Sequence, residues 1–278
     1  MNRPTEMPSR PWRALFADDD PRAALCEGLV QSVTENADIS GLFFAGSFAR
    51  GDHDAFSDLD FVAVATQPLP PWSRALGALT PLILVRAPAE TWGLTNLITS
   101  DWTRIDILTV RPNEFVDLSQ RSTFRALLDR GGLSHAAGRA ANSIQVDTKD
   151  VERSAEEAVR VLGLTPVVIG RGELLLAVSG LGLVRESLIR ILRAAGPDLG
   201  QRGALRLNPG LAAEDLALLI SLNPPRADEA SIRETTLAYV QVFRTRAVEV
   251  AREVGADWPD RFAEVTWARL EKFYGVSA

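Results

Sequence analysis

A glycine–serine pair and two nearby aspartates are the residues whose types and spacing first suggest chemistry. Gly46 and Ser47 follow the apolar segment ISGLFFA, and Asp58 and Asp60 come eleven and thirteen positions beyond Ser47. Glycine allows the backbone to approach a ligand closely, and a serine hydroxyl beside exposed backbone N–H groups can hold phosphate oxygens. The pair is therefore a candidate phosphate-binding turn.

Asp58 and Asp60 lie in SDLDFVAVA, where the apolar run predicts a strand. Alternation along a strand places both carboxylates on one face, with Leu59 and Phe61 in the opposite, apolar layer. Two carboxylates so close repel each other unless a cation lies between them, and Mg²⁺ is a hard cation that prefers oxygen ligands. Asp58 and Asp60 are therefore candidate magnesium ligands and candidate catalytic residues.

Asp106 and Arg50 extend this set. Asp106 interrupts an otherwise apolar strand, where a lone buried carboxylate is costly, and it could complete a two-metal site with ions about 4 Å apart. The alternative is that Asp106 is the ion-pair partner of Arg104 or of another arginine. Arg50 lies within one helical turn of Ser47 and is a candidate phosphate contact, although an exposed helix residue is an equal interpretation.

The elements that must position these residues form a sheet followed by helices. Strands are predicted at 39–45, 59–65, 82–85 and 105–110, and helices at 20–37, 71–79, 91–98 and 114–128. Further helices are predicted at 151–162, 173–195, 213–222, 230–254 and 259–274. The predicted fold class is α+β, a short mixed β-sheet flanked by helices and followed by an all-α helical bundle. The predicted domains are a flexible arm at 1–12, a sheet domain at 13–145 and a helical domain at 146–278.

Composition limits the class of protein. The 278 residues suffice for two domains, and a formal net charge of −6 argues against a nucleic-acid partner. Cys26 is the only cysteine, so a thiolate-rich zinc site and an intramolecular disulfide are excluded. The N-terminus MNRPTEMPSRPW has no signal-peptide pattern, and the longest uncharged apolar stretch of the C-terminal half is too short to span a bilayer. We therefore expect a cytoplasmic protein without a membrane partner.

The order Gly-Ser, a gap of about ten residues, Asp-x-Asp and a later strand aspartate resembles the pattern of the polymerase-beta-type nucleotidyltransferase superfamily. The segments GSFARG, SDLDF and RIDIL are most similar to its small-molecule branch, the aminoglycoside and lincosamide nucleotidyltransferases. The motifs cover about residues 39–110, and beyond them the resemblance rests on domain order alone.

This resemblance implies transfer of a nucleoside monophosphate, with ATP the expected donor of AMP, to a hydroxyl of a small molecule. An aminoglycoside-like antibiotic is one candidate acceptor, which would make antibiotic resistance a candidate role. Gly46 and Ser47 would hold the nucleotide phosphates, Asp58 and Asp60 would ligate Mg²⁺, and Asp106 would be the third ligand and a candidate base. The helical domain would help to bind the acceptor.

The acceptor base of the family is sometimes a separate glutamate, for which Glu173 and Glu186 are candidates here. Two other functions stay open, namely modification of a protein hydroxyl and a non-catalytic nucleotide-binding regulatory module. The intact aspartates argue against the second. A metal-dependent glycosyltransferase that uses Asp-x-Asp is disfavoured, because the upstream Gly-Ser pair and the short sheet match it poorly.

Overall fold

Two units of different architecture follow each other along the chain, the first ending at Asn142 and the second beginning at Ser143. The computed structural model describes residues 11–89, 91–136, 146–197 and 207–276. In these ranges the first unit combines a mixed sheet with helices, and the second is helical throughout. The predicted fold class is confirmed. The roles assigned to the two domains stay predictions.

The sheet of the first unit has six strands in the order β3-β4-β5-β2-β1-β6. Strands β2 and β5 are parallel, whereas every other neighbouring pair is antiparallel. Two strands that are distant in sequence therefore meet at the centre of the sheet. The strands are β1 (Ile39–Phe44), β2 (Leu59–Ala65), β3 (Leu82–Arg86), β4 (Gly93–Thr99), β5 (Arg104–Val110) and β6 (Arg125–Asp129).

Helices cover both faces of this sheet. They are α1 (Pro21–Thr34), α2 (Gly46–Arg50), α3 (Trp72–Gly77), α4 (Pro112–Ser119) and α5 (Leu133–Ala136), preceded by a 3-10 helix at Pro11–Leu15. The odd-numbered residues of β2 pack in one core with α1, α2 and α3. Val62 and Val64 of the same strand pack on the opposite face with Phe115 of α4. This alternation is the one that the sequence predicted for β2.

Two segments predicted as helices contain strands. Residues 91–98 were predicted to be a helix, but Gly93–Thr99 forms β4 between β3 and β5. Its buried residues alternate, and β-branched Thr95, Ile98 and Thr99 favour a strand. Residues 114–128 were also predicted to be one helix. The helix ends at Ser119, and β6 pairs with β1, so tertiary pairing overrides the helix propensity of the later residues.

Aromatic contacts connect the start of the described chain with α2. Residues 1–10 of the predicted arm lie outside the described residues, whereas Pro11 and Trp12 begin the 3-10 helix. Trp12 is 2% exposed and meets Phe16 edge-on. Phe16 in turn stacks on Phe48 with ring centroids 4.9 Å apart.

The second unit is built around two long helices. Helix α6 (Thr148–Gly170) packs along α7 (Leu174–Ala194) and along α11 (Asp260–Tyr274). The remaining helices are α8 (Ala213–Ser221), α9 (Glu229–Val242) and α10 (Val248–Glu253), with a 3-10 turn at Asn208–Gly210 and a π-helical turn at Phe243–Ala247 joining α9 to α10. Each predicted helix of this region is present, although the one predicted at 151–162 continues to Gly170 and the one predicted at 230–254 is divided into α9 and α10 by the π-helical turn. Across the described ranges, no helix has both the length and the apolar composition that crossing a bilayer requires.

A buried ion pair fixes the π-helical turn. Arg246 donates to both carboxylate oxygens of Asp215 in α8, at 2.7 and 2.9 Å, and Asp215 is 1% exposed. Two parallel charge-assisted bonds from the partly exposed Arg246 compensate the removal of the Asp215 carboxylate from water.

The N-terminus of α1 generates a prediction about stability and pH. Asp20 caps the helix by accepting from the Arg22 backbone N–H at 2.9 Å, and its carboxylate also pairs with the Arg22 guanidinium at 2.6 Å. The hydrogen bond from the Arg22 side chain is the main cause that lowers the pKa of Asp20 below its ordinary value of 3.8. Asp20→Asn keeps an acceptor for the cap but loses the ion pair. We expect it to reduce the free energy of unfolding of the first unit by about 1–2 kcal/mol at pH 7.

The sign of the pH dependence follows from the lowered pKa. The contribution of the Asp20 carboxylate is fully present above pH 3.8 and is lost as the pH falls through the lower, folded-state pKa. The difference between wild type and Asp20→Asn should therefore shrink on acidification, as measured by urea denaturation with one transition fitted for each unit. Asp19→Asn, an exposed neighbour, is the control and should change little at either pH. A difference that does not vary with pH would show that the charge of Asp20 contributes nothing.

Candidate active site

Parallel pairing of β2 with β5 brings the predicted aspartates together. Asp60 and Asp106 are direct register partners, and register partners project their side chains to the same face of a sheet. Asp58 immediately precedes β2 and lies two residues before Asp60, the spacing that places two side chains on the same face of a strand. The opposite face at this level carries Leu59 and Ile105, both fully buried. The carboxylates are thus grouped at the N-terminal ends of the two central strands.

Arg104 connects two of these carboxylates. Its Nη1 lies 3.1 Å from Oδ2 of Asp58, and its Nη2 donates to Oδ2 of Asp106 at 2.8 Å. The other oxygen of Asp106 accepts from Nδ2 of Asn96 at 2.7 Å, and Asn96 is the register partner of Asp106 on β4. The ion pair that the sequence left as an alternative for Asp106 is therefore present, within the same cluster as the other two acids.

Negative charge in this cluster exceeds positive charge. Burial raises the pKa of Asp60, and the charges of Asp106 and Asp58 raise it further, whereas Arg104 and Arg50 oppose the shift. Burial also raises the pKa of Asp58. The charge of Arg104 lowers this pKa, and the charge of Asp106 raises it further. The hydrogen bond to Asp106 raises the pKa of Arg104. Three carboxylates grouped beside one bridging guanidinium leave a net negative charge, which favours the binding of a further cation.

Gly46 brings the predicted phosphate turn against Asp60. The backbone N–H of Ala45 donates to the Asp60 carbonyl at 2.8 Å, after which Gly46 takes a left-handed conformation with φ of 56°. A Cβ at this position would lie 2.1 Å from Oδ2 of Asp60. Only glycine can therefore turn the chain here from β1 into α2, in which Ser47 is the second residue.

Arg50 ends the short helix that Gly46 begins. Its Nη2 lies 3.3 Å from Oδ1 of Asp52, and its charge acts to lower the pKa of Asp60. Arg50 is thus within electrostatic range of the cluster. Its contact with a phosphate stays a prediction.

The loop that leads into Asp58 is anchored from α1. Arg22 Nη1 donates to the carbonyl oxygens of Asp54 and Ser57, at 3.0 and 2.8 Å. Asp20 holds the same guanidinium from the other side. These bonds fix the backbone immediately before Asp58, so Arg22 positions one of the candidate ligands.

The donors fit Mg²⁺ in chemistry, although the carboxylates do not already surround a common point. Within the part of the chain that the structure describes, no three His, Cys, Asp or Glu side chains form a group arranged to hold a metal ion. Instead, the guanidinium of Arg104 lies between Asp58 and Asp106 and pairs with both carboxylates. The carboxylate oxygens that face it are the donors that Mg²⁺ prefers.

Two residues of this site, Asn96 and Arg22, escaped the sequence analysis. Asn96 was assigned to a helix, and its position opposite Asp106 depends on the pairing of β4 with β5. Arg104 was named in the sequence analysis only as one possible ion-pair partner of Asp106, and its position two residues before Asp106 places both side chains on the same strand face. Arg22 carries no signal in the sequence, since its partners are backbone carbonyls more than thirty residues away.

The two glutamates suggested as a base lie in the second unit. Glu173 is the N-cap residue of α7, and Glu186 is an exposed residue within that helix. Their role stays a prediction.

Among known proteins, no family model and no curated sequence matches the chain. The chain is similar to nucleotidyltransferases of known structure. An aminoglycoside 6-adenyltransferase from Bacillus subtilis is 14% identical with a TM-score of 0.41, covering 93% of this chain and 99% of that one. A nucleotidyltransferase-like protein from Exiguobacterium sibiricum is 12% identical with a TM-score of 0.36, covering 90% and 89%. Escherichia coli CdnC, in a structure with ATP, is 12% identical with a TM-score of 0.25, covering 88% of each chain.

With identities of at most 14% and TM-scores of at most 0.41 among those named, the likeness transfers neither activity nor substrate to this chain.

The close approach at Gly46 yields a prediction with a matched control. Gly46→Ala would incur the cost of a left-handed alanine, roughly 1–2 kcal/mol, and would also clash with Asp60. Gly132→Ala incurs only the first cost, because Gly132 has φ of 63° and no atom within 4 Å of an added Cβ. We expect Gly46→Ala to destabilise the first unit by about 1–3 kcal/mol more than Gly132→Ala does. Hydrogen exchange of the β1 and β2 amides measures this difference, and equal losses would mean that the contact with Asp60 is unimportant.

Proposed function

We propose that this chain is a magnesium-dependent nucleotidyltransferase that transfers a nucleoside monophosphate, AMP from ATP, to a hydroxyl of a small molecule. The observation that carries the proposal is the grouping of Asp58, Asp60 and Asp106 beside the turn at Gly46. A phosphate-binding turn and a cluster of carboxylates on one sheet edge are the two parts that phosphoryl chemistry needs, since positioning and electrostatics dominate it.

The proposed roles divide between the turn and the strands. Gly46 and Ser47, with Arg50, hold the triphosphate, and the three aspartates hold Mg²⁺. When bound, Mg²⁺ supplies positive charge to the attacking and leaving oxygens. Binding the triphosphate at the turn orients its α-phosphorus toward the carboxylates.

In the proposed reaction an acceptor hydroxyl oxygen attacks the α-phosphorus of ATP. The new oxygen–phosphorus bond forms as the bond from the α-phosphorus to the bridging oxygen breaks, and pyrophosphate leaves. The hydroxyl proton passes to a carboxylate, for which Asp106 is the candidate within the cluster. Asn96 and Arg104 fix the orientation of Asp106 through one contact to each of its oxygens.

A cationic, hydroxylated small molecule is the proposed class of acceptor. The net charge of −6 favours association with a cation, and an aminoglycoside-like antibiotic combines amines with hydroxyl groups. Antibiotic resistance follows as a role only if such a compound is the acceptor. Transfer to a protein hydroxyl uses the same chemistry and is a separate outcome of the test.

Pyrophosphate release in the presence of ATP, Mg²⁺ and a panel of aminoglycosides and lincosamides tests the proposal, with mass spectrometry to detect AMP on the acceptor. We expect Asp60→Asn and Asp106→Asn each to slow transfer by about a hundredfold or more, because each removes a charged oxygen from the cluster. Asp117→Asn changes an exposed carboxylate of α4 and should leave the rate unchanged.

Two results would count against the proposal. One is wild-type protein that releases no pyrophosphate with any acceptor, whether small molecule or protein. The other is transfer that survives in Asp60→Asn at the wild-type rate, because the cluster would then have no part in the reaction.

A further inference from the structure

Arg104 bridges two acids that the proposed function assigns to a metal. One guanidinium nitrogen faces Asp58 and the other faces Asp106. The guanidinium supplies one positive charge to two carboxylates that, in the proposed function, would hold a divalent cation. Arg104 and a metal ion therefore cannot both have the full interaction with these carboxylates.

The two contacts of this bridge differ in strength. The Asp106 side chain is 12% exposed, its contact is 2.8 Å long, and its second oxygen is held by Asn96 from the neighbouring strand. The Asp58 side chain is 26% exposed, its contact is 3.1 Å long, and it lies outside the strand. The contact with Asp58 is therefore the one that can open while Arg104 stays on Asp106.

We propose that Arg104 is a built-in competitor of the divalent cation, an inference that rests on the proposed function. In the nucleotide-free protein, Arg104 holds Asp58 and weakens the binding of a metal ion that comes alone. A metal ion that comes with a triphosphate brings additional oxygen ligands, and it takes Asp58 from Arg104. The cluster thus binds metal and nucleotide together in preference to metal alone.

The alternative is that Arg104 is only a strut that keeps the ligands in place. The two roles predict opposite changes in metal affinity when the guanidinium is removed. If Arg104 competes, its loss tightens metal binding in the absence of nucleotide. If it is a strut, its loss lets the carboxylates separate and weakens metal binding.

The affinity of the full chain for Mn²⁺ in the absence of nucleotide distinguishes the two roles. Electron paramagnetic resonance measures it, because the signal of free Mn²⁺ falls as the ion binds. We expect Arg104→Met to bind Mn²⁺ about tenfold more tightly than wild type, because a positive charge adjacent to the site has been removed. Arg111→Met is the matched control. Arg111 directly follows the other end of β5 and pairs with Glu114, so the net charge changes equally without contact to the cluster. It should leave the affinity for Mn²⁺ unchanged.

A non-hydrolysable ATP analogue extends the test. With the analogue present, the affinities of wild type and Arg104→Met for Mn²⁺ should approach each other, since the triphosphate oxygens overcome the competition. If Arg104→Met does not fold, Arg104→Lys replaces it. Lysine keeps the charge but cannot bridge two carboxylates with a planar fork, so Mn²⁺ should again bind more tightly, by a smaller factor.

The outcomes separate the two proposals. Wild-type protein that binds Mn²⁺ with the analogue, together with an Arg104 variant that binds Mn²⁺ alone no more tightly than wild type, overturns the competition only. Wild-type protein that binds Mn²⁺ neither alone nor with the analogue overturns the proposed function and the competition with it.

Discussion

Parallel pairing of β2 with β5 is the constraint on which the rest of the first unit depends. Its register sets Asp60 beside Asp106, and a slip by one residue would send one of the two carboxylates to the opposite face. The register is fixed by apolar side chains, since Leu59 and Ile105 pair on the other face and are fully buried in the core. The packing that stabilises the sheet is therefore also what assembles the acids.

The three grouped carboxylates repel one another, and the surrounding residues compensate this repulsion only in part. Arg104 bridges Asp58 and Asp106, and Asn96 satisfies the remaining oxygen of Asp106. Asp60 has the backbone of Gly46 against its carboxylate, and its pKa is raised by burial and by its neighbours. An incompletely balanced cluster is costly for a protein that only folds, and it is useful for one that binds a cation.

Sequence reasoning predicted the elements whose patterns are local. The cap at Asp20, the strands β1 and β2, and the helices of the second unit follow from caps and from hydrophobic periodicity. Strand β4 was missed because the segment GLTNLIT is short, and a short apolar segment fits both the helical and the strand periodicity of hydrophobic residues. Strand β6 was missed because its residues favour a helix and form a strand only through pairing with β1.

The candidate site, too, was predicted only where its residues form local sequence patterns. Gly46, Asp58, Asp60 and Asp106 could be named from spacing, and the structure brings these residues to one edge of the sheet. The contacts of Asn96 and Arg22 depend on tertiary structure. Local sequence predicts neither the pairing of β4 with β5 nor the contact of α1 with the loop before Asp58.

Anomalous diffraction from crystals grown with Mn²⁺ and a non-hydrolysable ATP analogue tests the central claim most directly. We predict an anomalous peak in contact with carboxylate oxygens of Asp58, Asp60 and Asp106, with the phosphates of the analogue at Gly46 and Ser47. Nucleotide bound elsewhere on the protein, with no Mn²⁺ at these three aspartates, would contradict it.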